Sequence, residues 1–107
     1  MLRSNDITTV NLKVFGNVQG VSYRAWLRRK ALELEISGWV RNCSDRTVEV
    51  MANGRKKNID NFIQFSNIGS PNSKVKKVQV AIIDKEGEGG SFPSNIFQII
   101  NTISSSV

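Results

Sequence analysis

Two stretches of helical spacing interrupt a chain whose other ordered segments alternate apolar and polar residues, and the order of these two periods leaves few folds open. Residues 8–15 alternate, with Val10, Leu12 and Val14 on one side and Asn11 and Lys13 on the other, as a half-buried strand requires. From about residue 22 to 35, Tyr23, Leu27, Ala31 and Leu34 fall on one helical stripe that belongs to a core, with Ser22 as N-cap. Ser37 and Gly38 break this helix. Residues 39–42 read as a short strand and 47–53 as its hairpin partner, where Val48, Val50 and Ala52 alternate with Glu49 and Met51 until Gly54 ends the run. A second helix over about 56–66 carries Ile59, Phe62 and Ile63 at helical spacing, and Gly69, Ser70 and Pro71 form its exit. Residues 74–83 form a strand with Val78, Val80 and Ile82 in phase. Residues 84–95, with three glycines and a proline, read as a loop, and 96–100 as a last short strand.

Strand, helix, strand, strand, helix, strand, plus a short final strand, is the split βαβ order of a ferredoxin-like α+β sandwich. That fold has an antiparallel-rich sheet with both helices on one face. A chain of 107 residues holds one core of two packed layers, so one domain is expected, with its core over about 8–100 and flexible tails at 1–7 and 102–107. With 39% hydrophobic and 22% charged residues, the composition is globular rather than disordered. No apolar run is long enough for a signal peptide or a membrane span, which points to the cytoplasm. The single cysteine, Cys43, excludes an internal disulfide and suits a reducing compartment.

The segment joining the first strand to the first helix reads Gly16, Asn17, Val18, Gln19, Gly20, Val21, Ser22, Tyr23, Arg24. Successive backbone N–H groups of a tight turn, and the unpaired N–H groups of a helix's first turn, can converge on one oxyanion. Gly16 and Gly20 allow such a turn, and Arg24 adds a planar fork that matches two phosphate oxygens. By itself the pattern also suits a plain turn with a solvated arginine. Charge adds to the first reading: 15 Lys and Arg against 9 Asp and Glu give a net +6, which favours anionic partners. The first helix is also charged against its dipole, with Arg24, Arg28 and Arg29 towards its positive end and Glu33 and Glu35 at its negative end. An anion at the N-terminus would offset that cost, although Arg28 and Arg29 also fit a solvated basic face. The chain has no histidine. It therefore has no Ser–His or Cys–His nucleophile pair, no histidine base and no ordinary zinc site.

Gly38, Trp39, Val40, Arg41 and Asn42, followed at set intervals by Val48 and Gly54, make a second fixed constellation. Together with residues 16–24, it resembles the two signatures of the acylphosphatase family, and the likeness spans roughly residues 8–100. The resemblance implies metal-independent hydrolysis of acyl phosphates to a carboxylate and inorganic phosphate, with no cofactor, by a protein of monomeric type. In that picture the backbone N–H groups of Gln19, Gly20, Val21, Ser22 and Tyr23 hold the phosphate. Arg24 clamps its oxygens, and Asn42 orients the attacking water. Independently, a carboxylate leaving group with a conjugate-acid pKa of about 4 departs without a general acid, so the missing histidines are no obstacle. Cys43, Tyr23 and Trp39 are then packing residues, and Ser22 acts through its backbone. The chain departs from the family pattern at Arg46, where a turn glycine is usual. If that turn needs positive φ, the Cβ costs about 1 kcal/mol there, unless Asp45 or another turn type takes the role.

Two other readings fit parts of the sequence. A non-catalytic phosphate-binding domain of the same family would keep the loop without turnover. A ferredoxin-like RNA-binding module would need exposed aromatics on its central strands, but residues 47–53 have none and the first strand has only Phe15. No specific nucleic-acid partner and no membrane partner are therefore expected.

Overall fold

In the computed structural model, which describes residues 6–83 and 96–102, the alternating segments become strands of one sheet. The elements in order are β1 (Ile7–Asn17), α1 (Tyr23–Glu33), β2 (Ser37–Asn42), β3 (Val48–Arg55), α2 (Lys56–Ile68), β4 (Lys74–Ile83) and β5 (Phe97–Ile99). The sheet order is β4-β1-β3-β2-β5. All pairings are antiparallel except that of β2 with β5, which is parallel. This is the expected ferredoxin-like arrangement with a fifth strand added at the β2 edge.

Register decides which side chains meet. Val10, Ala52 and Gly38 form one row across β1, β3 and β2; Leu12, Val50 and Val40 form the next; Val14, Val48 and Asn42 form the third. Paired residues share a face of the sheet. All but Asn42 are buried, so this is the face that α1 and α2 cover. Tyr23, Leu27 and Ala31 of α1 and Ile59 and Phe62 of α2 complete the core, with Phe62 meeting Phe97 edge-on at 5.9 Å between ring centroids. Because β3 runs antiparallel to both neighbours, β1 and β2 are parallel and finish at the same end of the sheet. The loop after Asn17, the last residue of β2 and the start of α1 are thereby brought together. Gly38 makes the β2–β3 pairing possible: at φ +144°, a Cβ there would lie 1.8 Å from the carbonyl oxygen of Met51.

Several boundaries differ from the sequence expectation. Ile7 belongs to β1, paired with Arg55, rather than to a tail. α1 stops at Glu33 because Glu35 turns to φ +57° and the Ile36 N–H reaches back to the Ala31 carbonyl at 2.8 Å, a left-handed helix stop usually made by glycine. β3 runs through Gly54 to Arg55 and leads directly into α2. On β4 only Val75 and Val78 reach the core; Val80 and Ile82, in phase with them, are 45% and 65% exposed because β4 is an edge strand. Trp39 is not a core residue. It lies on the open face with Arg41, whose guanidinium sits 4.7 Å from the centroid of its ring. The expected loop at 84–95 and the outer parts of both tails, 1–5 and 103–107, lie outside the described residues. Among the described residues, no helix is long and apolar enough to cross a membrane.

Candidate active site

The loop between β1 and α1 is anchored at three points, each by a different element. Gln19 Nε2 donates to the carbonyl oxygens of both Cys43 and Thr47, at 2.9 Å each, tying the loop to the β2–β3 turn. Ser70, just after α2, donates its hydroxyl to the Val21 carbonyl at 3.2 Å. The buried Tyr23 hydroxyl donates to the Ser66 carbonyl of α2 at 2.7 Å, and burial pushes this phenol well above its ordinary pKa. Val18 adds an apolar anchor, since its side chain is buried in the core. A loop held this way keeps the direction of its amides fixed, which electrostatic stabilisation of a developing charge requires.

The conformation within the loop follows from two left-handed residues. Gly20 sits at φ +74° with open space where a Cβ would be. Ser22 sits at φ +63°, and it does not cap α1 with its side chain as expected. An N-cap needs an extended backbone for its hydroxyl to reach the next turn, and the left-handed conformation forbids that. The Ser22 carbonyl instead takes the first helical bond, from the Trp26 N–H at 3.0 Å. With no side-chain cap and no acidic residue in the first turn, the amides and partial positive charge of α1's N-terminus are left for another acceptor. Val18, Gly20, Ser22, Tyr23, Arg24 and Ala25, with Ile99 of β5, line a cavity of about 310 Å³ there. Arg24 is half-buried in the first helical turn.

Asn42 ends β2 on the helix-covered face, in the row with Val14 and Val48. Its Oδ1 is buried without a hydrogen-bond partner among the described residues. An unpaired buried amide oxygen costs on the order of 1–3 kcal/mol and is retained where it has a task. The turn that follows is closely bonded. The Cys43 N–H donates to Thr47 O at 2.9 Å and the Arg46 N–H to Cys43 O at 3.1 Å. Asp45 Oδ1 accepts from the Thr47 hydroxyl and amide at 2.5 and 3.1 Å, while Lys13 Nζ lies 3.1 Å from Asp45 Oδ2. The Thr47 hydroxyl first, then its amide and the Lys13 ammonium, hold the Asp45 carboxyl at about 2. Arg46 takes φ +73°, so the turn keeps the conformation a glycine would favour and carries the strain of a Cβ.

The structure thus brings the predicted loop, Arg24 and Asn42 to one end of the sheet. It gives Arg28 a different task from either expected one: its Nε donates to the Phe97 carbonyl at 2.8 Å and docks β5 onto α1. Cys43 is half-buried and lines, with Gly16, Asn17, Val18, Gln19, Ser44, Arg46 and Thr102, a second cavity of about 450 Å³ between the loop and the turn. The Gln19 side chain and Ser70 have site roles that sequence alone did not assign. A polar side chain inside a glycine-rich loop was the only signal for the first, and nothing local pointed to the second.

A sequence profile described as acylphosphatase matches residues 10–94. The chain is similar to an acylphosphatase from Natronomonas pharaonis, with 38% identity over 86 residues that cover 80% of this chain and 94% of the relative. Its fold is similar to the crystal structure of acylphosphatase from Bacillus subtilis, with a TM-score of 0.77 and 31% identity over 87% of this chain and 98% of that one. An acylphosphatase from Coxiella burnetii gives a TM-score of 0.80 and 30% identity over 94% and 99% of the two chains.

Proposed function

Since this chain belongs to the acylphosphatase family and hydrolyses acyl phosphates, we propose that its loop amides, Arg24 and Asn42 carry the reaction. The phosphate of the substrate rests on the N–H groups of Gln19, Gly20, Val21, Ser22 and Tyr23, at the uncapped start of α1. Arg24 bridges two of its oxygens and offsets the charge that builds as the phosphoryl group transfers. Asn42 Oδ1 accepts a hydrogen bond from the attacking water and aims its lone pair at phosphorus. A new P–O bond forms to the water, the bond from phosphorus to the acyl oxygen breaks, and the carboxylate leaves with the electron pair. A phosphate oxygen takes the water's proton. Because the leaving group is a weak base, no general acid is needed, and the protein contributes positioning and fixed positive charge.

The observation that carries this reading is the buried Asn42 Oδ1, without a partner among the described residues, at the end of the sheet where the anchored loop starts α1. The same reading extends to one domain acting as a cytoplasmic monomer on a free small molecule, without metal, cofactor or specific nucleic-acid partner. The lone cysteine suits a reducing compartment, and the open-face Trp39 is stacked by Arg41, which Glu49 holds at 2.8 Å. Turnover of benzoyl phosphate by purified protein in the presence of chelator tests the assignment. Phosphate release is expected to be nearly abolished in Arg24→Ala and Asn42→Ala and poorly restored in Arg24→Lys, which cannot bridge two oxygens. Full activity in Arg24→Ala would refute the site, and phosphate binding without turnover by the wild type would leave only a binding domain.

A further inference from the structure

Arg46 combines three properties that a surface turn residue has no need of. It holds φ +73°, a left-handed conformation that glycine would adopt without strain. Its backbone is fixed there by the bond from its N–H to Cys43 O and by the neighbouring Asp45–Thr47 bonds. Among the described residues, its guanidinium has no hydrogen-bond or ion-pair partner, unlike that of Arg41 on the adjacent strand, which is paired to Glu49. Strain retained at a fixed position beside a site points to a task for the side chain.

The surroundings indicate the task. Arg46 lines the cavity of about 450 Å³ whose opposite wall is the first half of the anchored loop, Gly16 to Gln19. Gln19 belongs to the loop that holds the phosphate and also bonds the turn that carries Arg46. The cavity therefore abuts the phosphate-binding loop, and among the described residues Arg46 is the one charged side chain in its lining. Asn17, Ser44 and Thr102 add polar groups to its walls, and among the described residues no acidic side chain lines it.

Resting on the hydrolase reading above, we infer that this cavity is a second anion subsite and that Arg46 selects acyl phosphates whose acyl portion carries a further negative group, such as a carboxylate. The acyl chain extends from the phosphate along the loop wall, and its distal anion meets the Arg46 guanidinium. The phosphate is left to Arg24 and the loop amides.

Two probes of similar length separate this from other roles: succinyl phosphate, with a distal carboxylate, and butanoyl phosphate, without one. The wild type is expected to prefer succinyl phosphate in kcat/KM through a lower KM, and the preference should weaken as salt rises. In Arg46→Gln, which keeps a Cβ at the turn, the ratio of the two kcat/KM values should fall on the order of fivefold, as for a partly exposed charge pair. An unchanged ratio, or equal losses on both substrates, would overturn the subsite while leaving the hydrolase reading in place. Failure of the wild type to turn over either probe would overturn the hydrolase reading itself.

Discussion

Replacing Gln19 by Met tests whether the loop and the turn behind Asn42 act as one unit. Met fills a similar volume but lacks the amide that donates to Cys43 O and Thr47 O, at 2.9 Å each. Two hydrogen bonds at a net 0.5–1.5 kcal/mol each bound the loss at about 1–3 kcal/mol. Neither carbonyl is orphaned, because Cys43 O still accepts the Arg46 N–H and Thr47 O the Cys43 N–H. The expected loss is therefore about 1–2 kcal/mol, in the lower part of that range. In urea this shifts the unfolding midpoint down by roughly 0.5–1 M, with an unchanged slope. The rate should suffer more than the stability. Asn42 adjoins Cys43, and a displacement of about 1 Å at a reacting group can cost on the order of 100-fold, so kcat for benzoyl phosphate should fall about 10- to 100-fold under conditions where the variant is fully folded. Gln19→Met with wild-type midpoint and wild-type kcat would refute the claim that this side chain holds loop and turn in register.

Other perturbations have equally definite outcomes. Arg46→Gly relieves the left-handed strain at φ +73° and should stabilise the fold by about 0.5–1 kcal/mol in chemical denaturation, the gain being trimmed by the greater freedom of glycine in the unfolded chain. Gly38→Ala places a Cβ 1.8 Å from Met51 O at the β2–β3 pairing and should cost at least about 3 kcal/mol or prevent folding, read by thermal unfolding monitored by circular dichroism. Asp45 ionises at about 2 in the folded protein, below its ordinary 3.8, so its contribution to stability is complete above pH 4 and is lost as the pH falls towards 2. Asp45→Asn should accordingly be less stable than the wild type at pH 6, with the gap narrowing at pH 2.5 in matched denaturation curves.

The parts of this molecule legible in the sequence are those governed by local periodicity. Val10, Leu12 and Val14 announced β1, and Tyr23, Leu27 and Ala31 announced the buried stripe of α1, because burial on one face writes the period directly into the chain. The glycine spacing marked the loop between β1 and α1, and Arg24 and Asn42 fall in the first turn of α1 and at the end of β2. What escaped depended on partners distant in sequence. Val80 and Ile82 have the right phase but sit on an edge strand, where phase does not guarantee cover. Ser22 had the composition of an N-cap, yet the loop forces it to the left-handed region, where its hydroxyl cannot serve. Arg28 looked like a charge in the wrong half of a helix, and its actual acceptor is a carbonyl on β5, 69 residues away in sequence. Gln19 similarly bonds across 24 and 28 residues, which no local pattern encodes.

Isotope labelling tests the central claim, water attack at phosphorus on a phosphate held by the loop, most directly. Hydrolysis of benzoyl phosphate by the wild type in ¹⁸O-water should place one labelled oxygen in each inorganic phosphate and none in benzoate, because the bond broken is that from phosphorus to the acyl oxygen. Label in the benzoate would mean attack at the carbonyl carbon and would contradict the roles given to Asn42 and the loop.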